Sequence, residues 1–164
     1  VINLQNNGLT GSVPPTLGSS LSKLTTLKLD SNALDGTLPG SLQQLQNLEV
    51  FDISHNRMKG PLLDGRSILV SGTYVPVWAN MKSLVLSNNS LSGTLGGHVF
   101  PGALTTLDIS DNKLVGSIPV DAFASLKQLM VTEGISKYNV NRMRHFYYYG
   151  TPEEGEEKYN AYIA

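Results

Sequence analysis

The sequence predicts an α/β solenoid of five to six short coils, with a parallel β-sheet lining its concave side. Three observations lead to this prediction. A pattern of leucines, one asparagine and one glycine occurs five times along the chain. The copies follow one another at about two dozen residues, which is a solenoid period. Each copy also begins with an alternation of apolar and polar residues, the period of a strand with one buried face.

The pattern is clearest from Leu24 to Pro39, which reads LTTLKLDSNALDGTLP. Leu27 and Leu29 alternate with Lys28 and Asp30, and this alternation predicts a short strand. The alternation stops at the asparagine, and the chain is expected to turn back there while later leucines still face one core. The inward pairs predicted for the five strands are Ile2 and Leu4, Leu27 and Leu29, Phe51 and Ile53, Leu84 and Leu86, and Leu107 and Ile109.

An asparagine occupies the same place in all five copies, and the steps between these asparagines are 25, 24, 33 and 23 residues. An asparagine amide can donate to and accept from turn backbone groups that no strand partner reaches. We therefore predict an asparagine ladder at the corner after each strand, the alternative being a set of surface turn residues. The predicted ladder residues are Asn7, Asn32, Asn56, Asn89 and Asn112.

The copies resemble plant-type leucine-rich repeats, whose pattern is LxxLxLxxNxLxGxIP, over residues 1 to about 133. Leu38-Pro39 and Ile118-Pro119 complete the motif, whereas Leu62-Leu63 and Leu95-Gly96 depart from it. The resemblance implies a second short strand near the glycine of each copy. It also implies a non-catalytic recognition module, as in plant receptor-like proteins and polygalacturonase inhibitors, at the cell surface or outside the cell. The alternative is a structural subunit of a larger complex.

The resemblance implies that the outward positions of the strands form the ligand surface. This surface is polar, mildly acidic and without aromatic residues, and the alternative is that it is merely solvated. A protein or peptide ligand is expected there. The predicted ligand-binding residues are Lys28, Asp30, Asp52, Ser54, His55, Val85, Ser87, Asp108, Ser110, Asp111 and Met130. Asn88-Asn89-Ser90 is a glycosylation sequon, in which Asn88 points outward and is the predicted acceptor of a secreted chain.

Two segments depart from the repeats. The 33-residue step predicts an insertion within 61–83 that contains Trp78, either on a binding loop or packed on the convex face. Residues 1–134 are predicted to form the solenoid, and residues 135–164 a tyrosine- and glutamate-rich extension. This extension is expected to cap the last coil or to dock other subunits, and it also resembles the tyrosine-rich island of plant receptor-like proteins.

Composition narrows the function classes. A net charge of −1 gives no basic field, so nucleic acid is not an expected partner. The absence of cysteine excludes disulfides, thiolate metal sites and a cysteine nucleophile. No apolar run approaches ~18 residues, so no transmembrane segment is predicted. Asp52, Ser54 and His55 lie along one strand end and are not expected to converge as a triad, so neither catalysis nor a cofactor is predicted.

The first residue, Val1, falls inside a repeat. A solenoid end without a capping coil exposes apolar core. The chain is therefore expected to be a piece of a longer protein, or to lie in an assembly that covers this end.

Overall fold

The computed structural model describes residues 1–62, 68–70, 73–75, 78–94, 103–115, 128–131 and 146–147. The strands in chain order are β1 (Ile2–Asn3), β2 (Thr10–Ser12), β3 (Thr26–Lys28), β4 (Ala33–Asp35), β5 (Val50–Asp52), β6 (Lys59–Pro61), β7 (Ile68–Val70), β8 (Thr73–Val75), β9 (Ser83–Val85), β10 (Ser90–Thr94), β11 (Thr106–Asp108), β12 (Lys113–Val115), β13 (Gln128–Val131) and β14 (Phe146–Tyr147). The helices are α1 (Leu17–Ser20) and a 3₁₀-helix (Gly40–Gln44).

The first strands of successive coils form one sheet in the order β1-β3-β5-β9-β11-β13-β14. Pairing is parallel from β1 to β13, and equivalent residues of neighbouring coils face each other, as in Leu27 opposite Phe51 and Phe51 opposite Leu84. The predicted concave parallel sheet is therefore confirmed. Because equivalent positions of the repeat are paired, each outward residue of one coil lies beside the equivalent residue of the next.

Neighbouring coils bury the inward leucines, as expected for a fold in which no coil can bury its own face. Leu27, Phe51 and Ile53 are fully buried in one continuous core. The first coil differs from the prediction, because Leu4 is 42% exposed and Ile2 only half-buried. Strand β1 is the edge of the sheet, so its inward residues have a packing neighbour on one side alone.

A second set of short strands lies after the ladder corner, as the resemblance implies. Strands β2 and β4 pair in parallel, and β6, β10 and β12 form a three-stranded parallel sheet that we call the flank sheet. Its register is shifted by two residues relative to the repeat, so that Gly60 faces Leu91 and Gly93 faces Leu114. Positive φ angles at Gly60 (81°) and Gly93 (95°) explain why glycine is needed here. Gly116, the equivalent residue of the fifth copy, lies outside the described residues.

Two short helices cover the convex side of the first and second coils. Helix α1 packs against the 3₁₀-helix through Gly18, which is buried. A Cβ atom at this position would stand 1.7 Å from the carbonyl oxygen of Ser41. The close approach of two backbones therefore depends on the missing side chain.

The insertion contains a β-hairpin, because β7 and β8 pair in antiparallel register with Ile68 opposite Val75. Trp78 follows it and is only 5% exposed, so the packed alternative is the one observed. Its indole Nε1 donates to the Leu42 carbonyl oxygen at 2.8 Å, and its ring lies 6.1 Å from that of Phe51. The insertion therefore returns to the solenoid through a tryptophan that joins the 3₁₀-helix to the core.

The predicted extension, residues 135–164, lies outside the described residues except for β14. Strand β14 pairs with β13 in antiparallel register, with Met130 opposite Tyr147 and Val131 opposite Phe146. Backbone of the extension therefore reaches the edge of the concave sheet. Within the described ranges, no helix has the length and apolar character to cross a bilayer.

Candidate functional site

The asparagine at the corner after the strand bonds to the preceding coil in the second to fifth coils. Asn56 is representative. Its Nδ2 donates to the Leu29 carbonyl oxygen of the preceding coil at 3.0 Å, and to those of Ile53 and Ser54 in its own coil at 3.1 Å. Its Oδ1 accepts from the Leu34 amide of the preceding coil at 2.9 Å. One side chain thus satisfies four turn backbone groups and ties two coils together.

The same contacts recur in three further coils. Asn32, Asn89 and Asn112 each donate to one carbonyl oxygen of the preceding coil at 2.9 to 3.0 Å. Asn89 and Asn112 each accept from one of its amides at 2.9 Å, and Asn32 accepts from two, those of Leu9 at 2.9 Å and Asn7 at 3.0 Å. Asn7 belongs to the first coil, and its Nδ2 donates to the Gln5 carbonyl oxygen of that same coil. The ladder therefore fixes the spacing between coils, and with it the spacing of the outward side chains.

A second, shorter ladder lies at the opposite end of the strands, and the sequence analysis missed it. Asn47 Nδ2 donates to the Ser22 carbonyl oxygen at 2.9 Å, and Asn80 Nδ2 donates to that of Gln46 at 3.0 Å. In the fifth copy, Thr105 Oγ1 donates to the Lys82 carbonyl oxygen from a position two residues later in the repeat. The signal was an asparagine directly before the first core residue of the third and fourth copies, in QNLEVF and ANMKSL.

The outward residues at the centre of the strands form a continuous row. The paired positions run from Asn3 to Lys28, then to Asp52, Val85, Asp108 and Met130. We call these six residues the central row. Lys28, Asp52 and Val85 are half-buried, as expected for side chains on one face of a sheet. The side chain of Met130 lies outside the described residues.

Burial corrects the predicted site at four positions. Ser54 is 6% exposed, Ser87 4% and Ser110 5%, so these serines offer little surface to a ligand, and Asp108, at 8%, presents only a small part of its side chain. The short serine side chains lie at the same position of three successive coils, and two of them bond to aspartates two residues earlier. The alternation of the sequence identified the face on which they lie but not their depth.

The serines instead position carboxylates of the central row. Ser54 Oγ donates to Asp52 Oδ1 at 2.7 Å, and the Ser54 amide donates to the same oxygen at 3.0 Å. Ser110 makes the same two bonds to Asp108 Oδ1, at 2.6 and 3.1 Å. The proton of the Ser54 hydroxyl is therefore engaged by Asp52, while His55 is exposed at the next residue.

The residues directly before the ladder form a rim along one side of the concave face. All five have left-handed backbone, with φ between 49° and 56°. The rim residues are Asn6, Ser31, His55, Asn88 and Asp111. Asparagine, aspartate and histidine adopt this conformation more readily than most other residues, so their presence in four copies was a usable signal. Except for half-buried Ser31, the rim side chains are exposed.

Charge is divided between the concave side and the flank sheet. On the strands and rim, one cation, Lys28, accompanies four carboxylates, which are Asp30, Asp52, Asp108 and Asp111. On the flank sheet, on β4 and just before β6, the described residues include Asp35 and three cations, which are Arg57, Lys59 and Lys113. Among the described side chains, no group of three histidines or carboxylates is placed to hold a metal ion. The concave side is thus an acidic, polar surface.

Two family models match the chain. Both are described as leucine-rich repeat, and they match residues 1–58 and 103–126. Receptor-like protein 32 of Arabidopsis thaliana is 33% identical over 89% of this chain, and Receptor-like protein 47 of the same plant is 47% identical over 79%. The chain covers 19% and 18% of those two relatives. It therefore corresponds to about a fifth of their length.

Solved structures that resemble the chain are also leucine-rich repeat ectodomains of plant receptors. The ectodomain of the Arabidopsis thaliana receptor kinase SOBIR1 matches 78% of this chain and 65% of its own, with a TM-score of 0.64 and 28% identity. The receptor kinase HAESA, in complex with the peptide hormone IDA and the co-receptor SERK1, matches 72% of this chain and 18% of its own, with a TM-score of 0.58 and 30% identity. The chain belongs to the plant-type leucine-rich repeat family, and its relatives are receptor-like proteins.

Proposed function

We propose that the chain is a non-catalytic recognition module and that its concave face binds a protein or peptide ligand outside the cell. The observation that carries this proposal is the register of the concave sheet, which aligns outward side chains of successive coils into the central row. A ladder at each end of the strands ties neighbouring coils together, so we expect little conformational freedom to be lost on binding. The names of the relatives, and the peptide complexes of HAESA and of PEPR1 with AtPEP1, support the same role.

A matched pair of substitutions tests the position of the ligand. Val85 is half-buried at the middle of the central row, whereas Val115 is 38% exposed on the flank sheet. Arginine at Val85 places a long side chain on the proposed surface, and arginine at Val115 places it elsewhere. We expect Val85→Arg to reduce ligand binding at least about tenfold, because a central position of an interface is blocked. Val115→Arg should bind as the parent does.

The measurement is capture from native extract on the immobilised 164-residue chain, with bound proteins and peptides identified by mass spectrometry. The affinity of a captured ligand for both variants is then measured by calorimetry. Equal binding by Val85→Arg and the parent would place the ligand away from the concave face. Circular dichroism of both variants checks that the fold is retained.

We also propose that Asn88 carries a glycan when the chain passes through a secretory pathway. Asn88 is exposed on the rim, whereas Asn89 of the same sequon is held in the ladder. A glycan on Asn88 therefore leaves both the core and the ladder intact. After secretion from eukaryotic cells, the protein should lose one glycan mass on treatment with peptide N-glycosidase. Ser90→Ala should abolish that mass, and Ser92→Ala, two residues along the same strand, should not.

The second candidate function that we propose is a structural subunit of a larger complex. A purified chain that is monomeric by size-exclusion chromatography favours the recognition module. A chain that aggregates alone and is rescued by partner chains favours the subunit.

A further inference from the structure

Two aspartates of the central row stand on either side of one valine. Asp52 and Asp108 are both direct register partners of Val85, from opposite sides. Adjacent strands lie about 4.8 Å apart, so the backbones of the two aspartates are about 9.6 Å apart across the sheet. The half-buried Val85 between them supplies a small apolar contact. The central row thus presents an acidic side chain, an apolar side chain and a second acidic side chain at a fixed spacing.

Both carboxylates are oriented before any ligand arrives. In each, Oδ1 accepts two hydrogen bonds from the serine two residues later. Within the described residues, Oδ2 of each aspartate has no hydrogen-bond partner. Asp108 is 8% exposed, so a cation that reaches its Oδ2 would form a charge-assisted hydrogen bond that is largely shielded from water. The ion pair in the described part of the chain joins Lys82 and Glu49, outside the central row.

The spacing selects a ligand conformation. In a polyproline II helix, residues three apart point to the same side and are separated by about 9.3 Å. In a β-strand, residues on the same side are two apart and separated by about 6.8 Å, which is too short. The distance between the two aspartates therefore matches side chains three residues apart in a polyproline II peptide.

We propose that the central row binds a peptide in polyproline II conformation that carries two basic side chains three residues apart, one on Asp52 and one on Asp108. This inference rests on the proposed function and names the ligand class of the same surface. Arginine suits both positions, because its planar guanidinium can bond a carboxylate through two N–H groups. Lys28 adjoins Asp52 in the row and disfavours a third basic group on that side.

The probes are fluorescently labelled polyproline peptides of about twelve residues. One carries two arginines three positions apart, and the second carries two arginines two positions apart, with identical composition. A third replaces both arginines of the first by glutamates. Anisotropy titration of the 164-residue chain at low salt should show binding of the first peptide at least about fivefold tighter than the second, because only it reaches both carboxylates. The glutamate peptide should not bind.

Asparagine substitutions test the two carboxylates without disturbing the fold. In Asp52→Asn and Asp108→Asn the side-chain oxygen can still accept both serine bonds, so unfolding temperatures should stay close to that of the parent. Each variant should bind the first peptide about tenfold more weakly, since each loses one charge-assisted contact. Asp35→Asn removes an exposed carboxylate near the flank sheet and is the control, with unchanged affinity.

Equal affinity for the two arginine peptides would contradict the proposed three-residue spacing of the basic side chains. Unchanged affinity in both asparagine variants would contradict the proposed binding to Asp52 and Asp108. A captured natural ligand separates this inference from the proposed function. If that ligand is blocked by Val85→Arg but binds Asp52→Asn and Asp108→Asn as it binds the parent, the concave face is the binding surface and the basic-peptide inference is wrong.

Discussion

Replacing Asn56 with alanine is expected to lower the free energy of unfolding by about 3–4 kcal/mol. The side chain satisfies three carbonyl oxygens and one amide, and two of these four groups belong to the preceding coil. Alanine leaves all four without this partner at a half-buried corner. Because stability in a solenoid depends on contacts between neighbours, the loss is also expected to weaken the coupling of the second coil to the third.

Asn7 provides the matched control, since it has the same residue type and the same place in the repeat. Its Nδ2 bonds only within its own coil, to the Gln5 carbonyl oxygen, and the residue is exposed. Asn7→Ala should therefore cost no more than about 1 kcal/mol.

Urea denaturation followed by the fluorescence of Trp78 measures both variants, because this single tryptophan is buried beside the third coil. Similar losses for Asn7→Ala and Asn56→Ala would mean that the asparagines act as turn residues within each coil. The cross-coil role would then be wrong. Asn56→Asp separates the two contributions, since it keeps the oxygen that accepts from Leu34 and loses the donors.

The sequence was sufficient to predict the features that follow from the repeat period and from the alternation within each strand. Leu27 and Leu29 are buried and Lys28 faces outward because alternation assigns side chains to the two faces of a strand. The asparagine steps predicted which side chains share a corner. Alternation carries no information about depth, so the burial of Ser54 and Asp108 was not foreseen. Depth depends on curvature and on the length of neighbouring side chains, which belong to other coils.

The hairpin and the left-handed rim are two features that local sequence patterns also indicate. The hairpin of β7 and β8 is encoded as ILV-SG-TYV, two β-branched runs separated by a serine and a glycine, which is a hairpin signal. The left-handed rim was indicated by asparagine, aspartate or histidine before the ladder in four copies. Ser31 adopts the same conformation without that preference, because the backbone bonds to neighbouring coils fix the corner.

The contact between α1 and the 3₁₀-helix could not be predicted from periodicity, and it leads to the second large effect. Gly18→Ala is expected to destabilise the protein by about 3 kcal/mol. The new Cβ would lie 1.7 Å from the Ser41 carbonyl oxygen and 2.8 Å from the Leu42 amide nitrogen. Both are backbone atoms, so the two helices must move apart and uncover Leu42, which is fully buried.

The helix propensity of alanine acts in the opposite direction, by up to about 1 kcal/mol, and the steric clash exceeds it. Gly40→Ala is the control, since a Cβ at Gly40 meets nothing within 4 Å. That substitution should leave stability unchanged or raise it by about 0.4–1 kcal/mol, because alanine restricts the unfolded chain. Thermal unfolding by circular dichroism compares the two variants with the parent. A Gly18→Ala protein as stable as Gly40→Ala would show that the convex helices are not in close backbone contact.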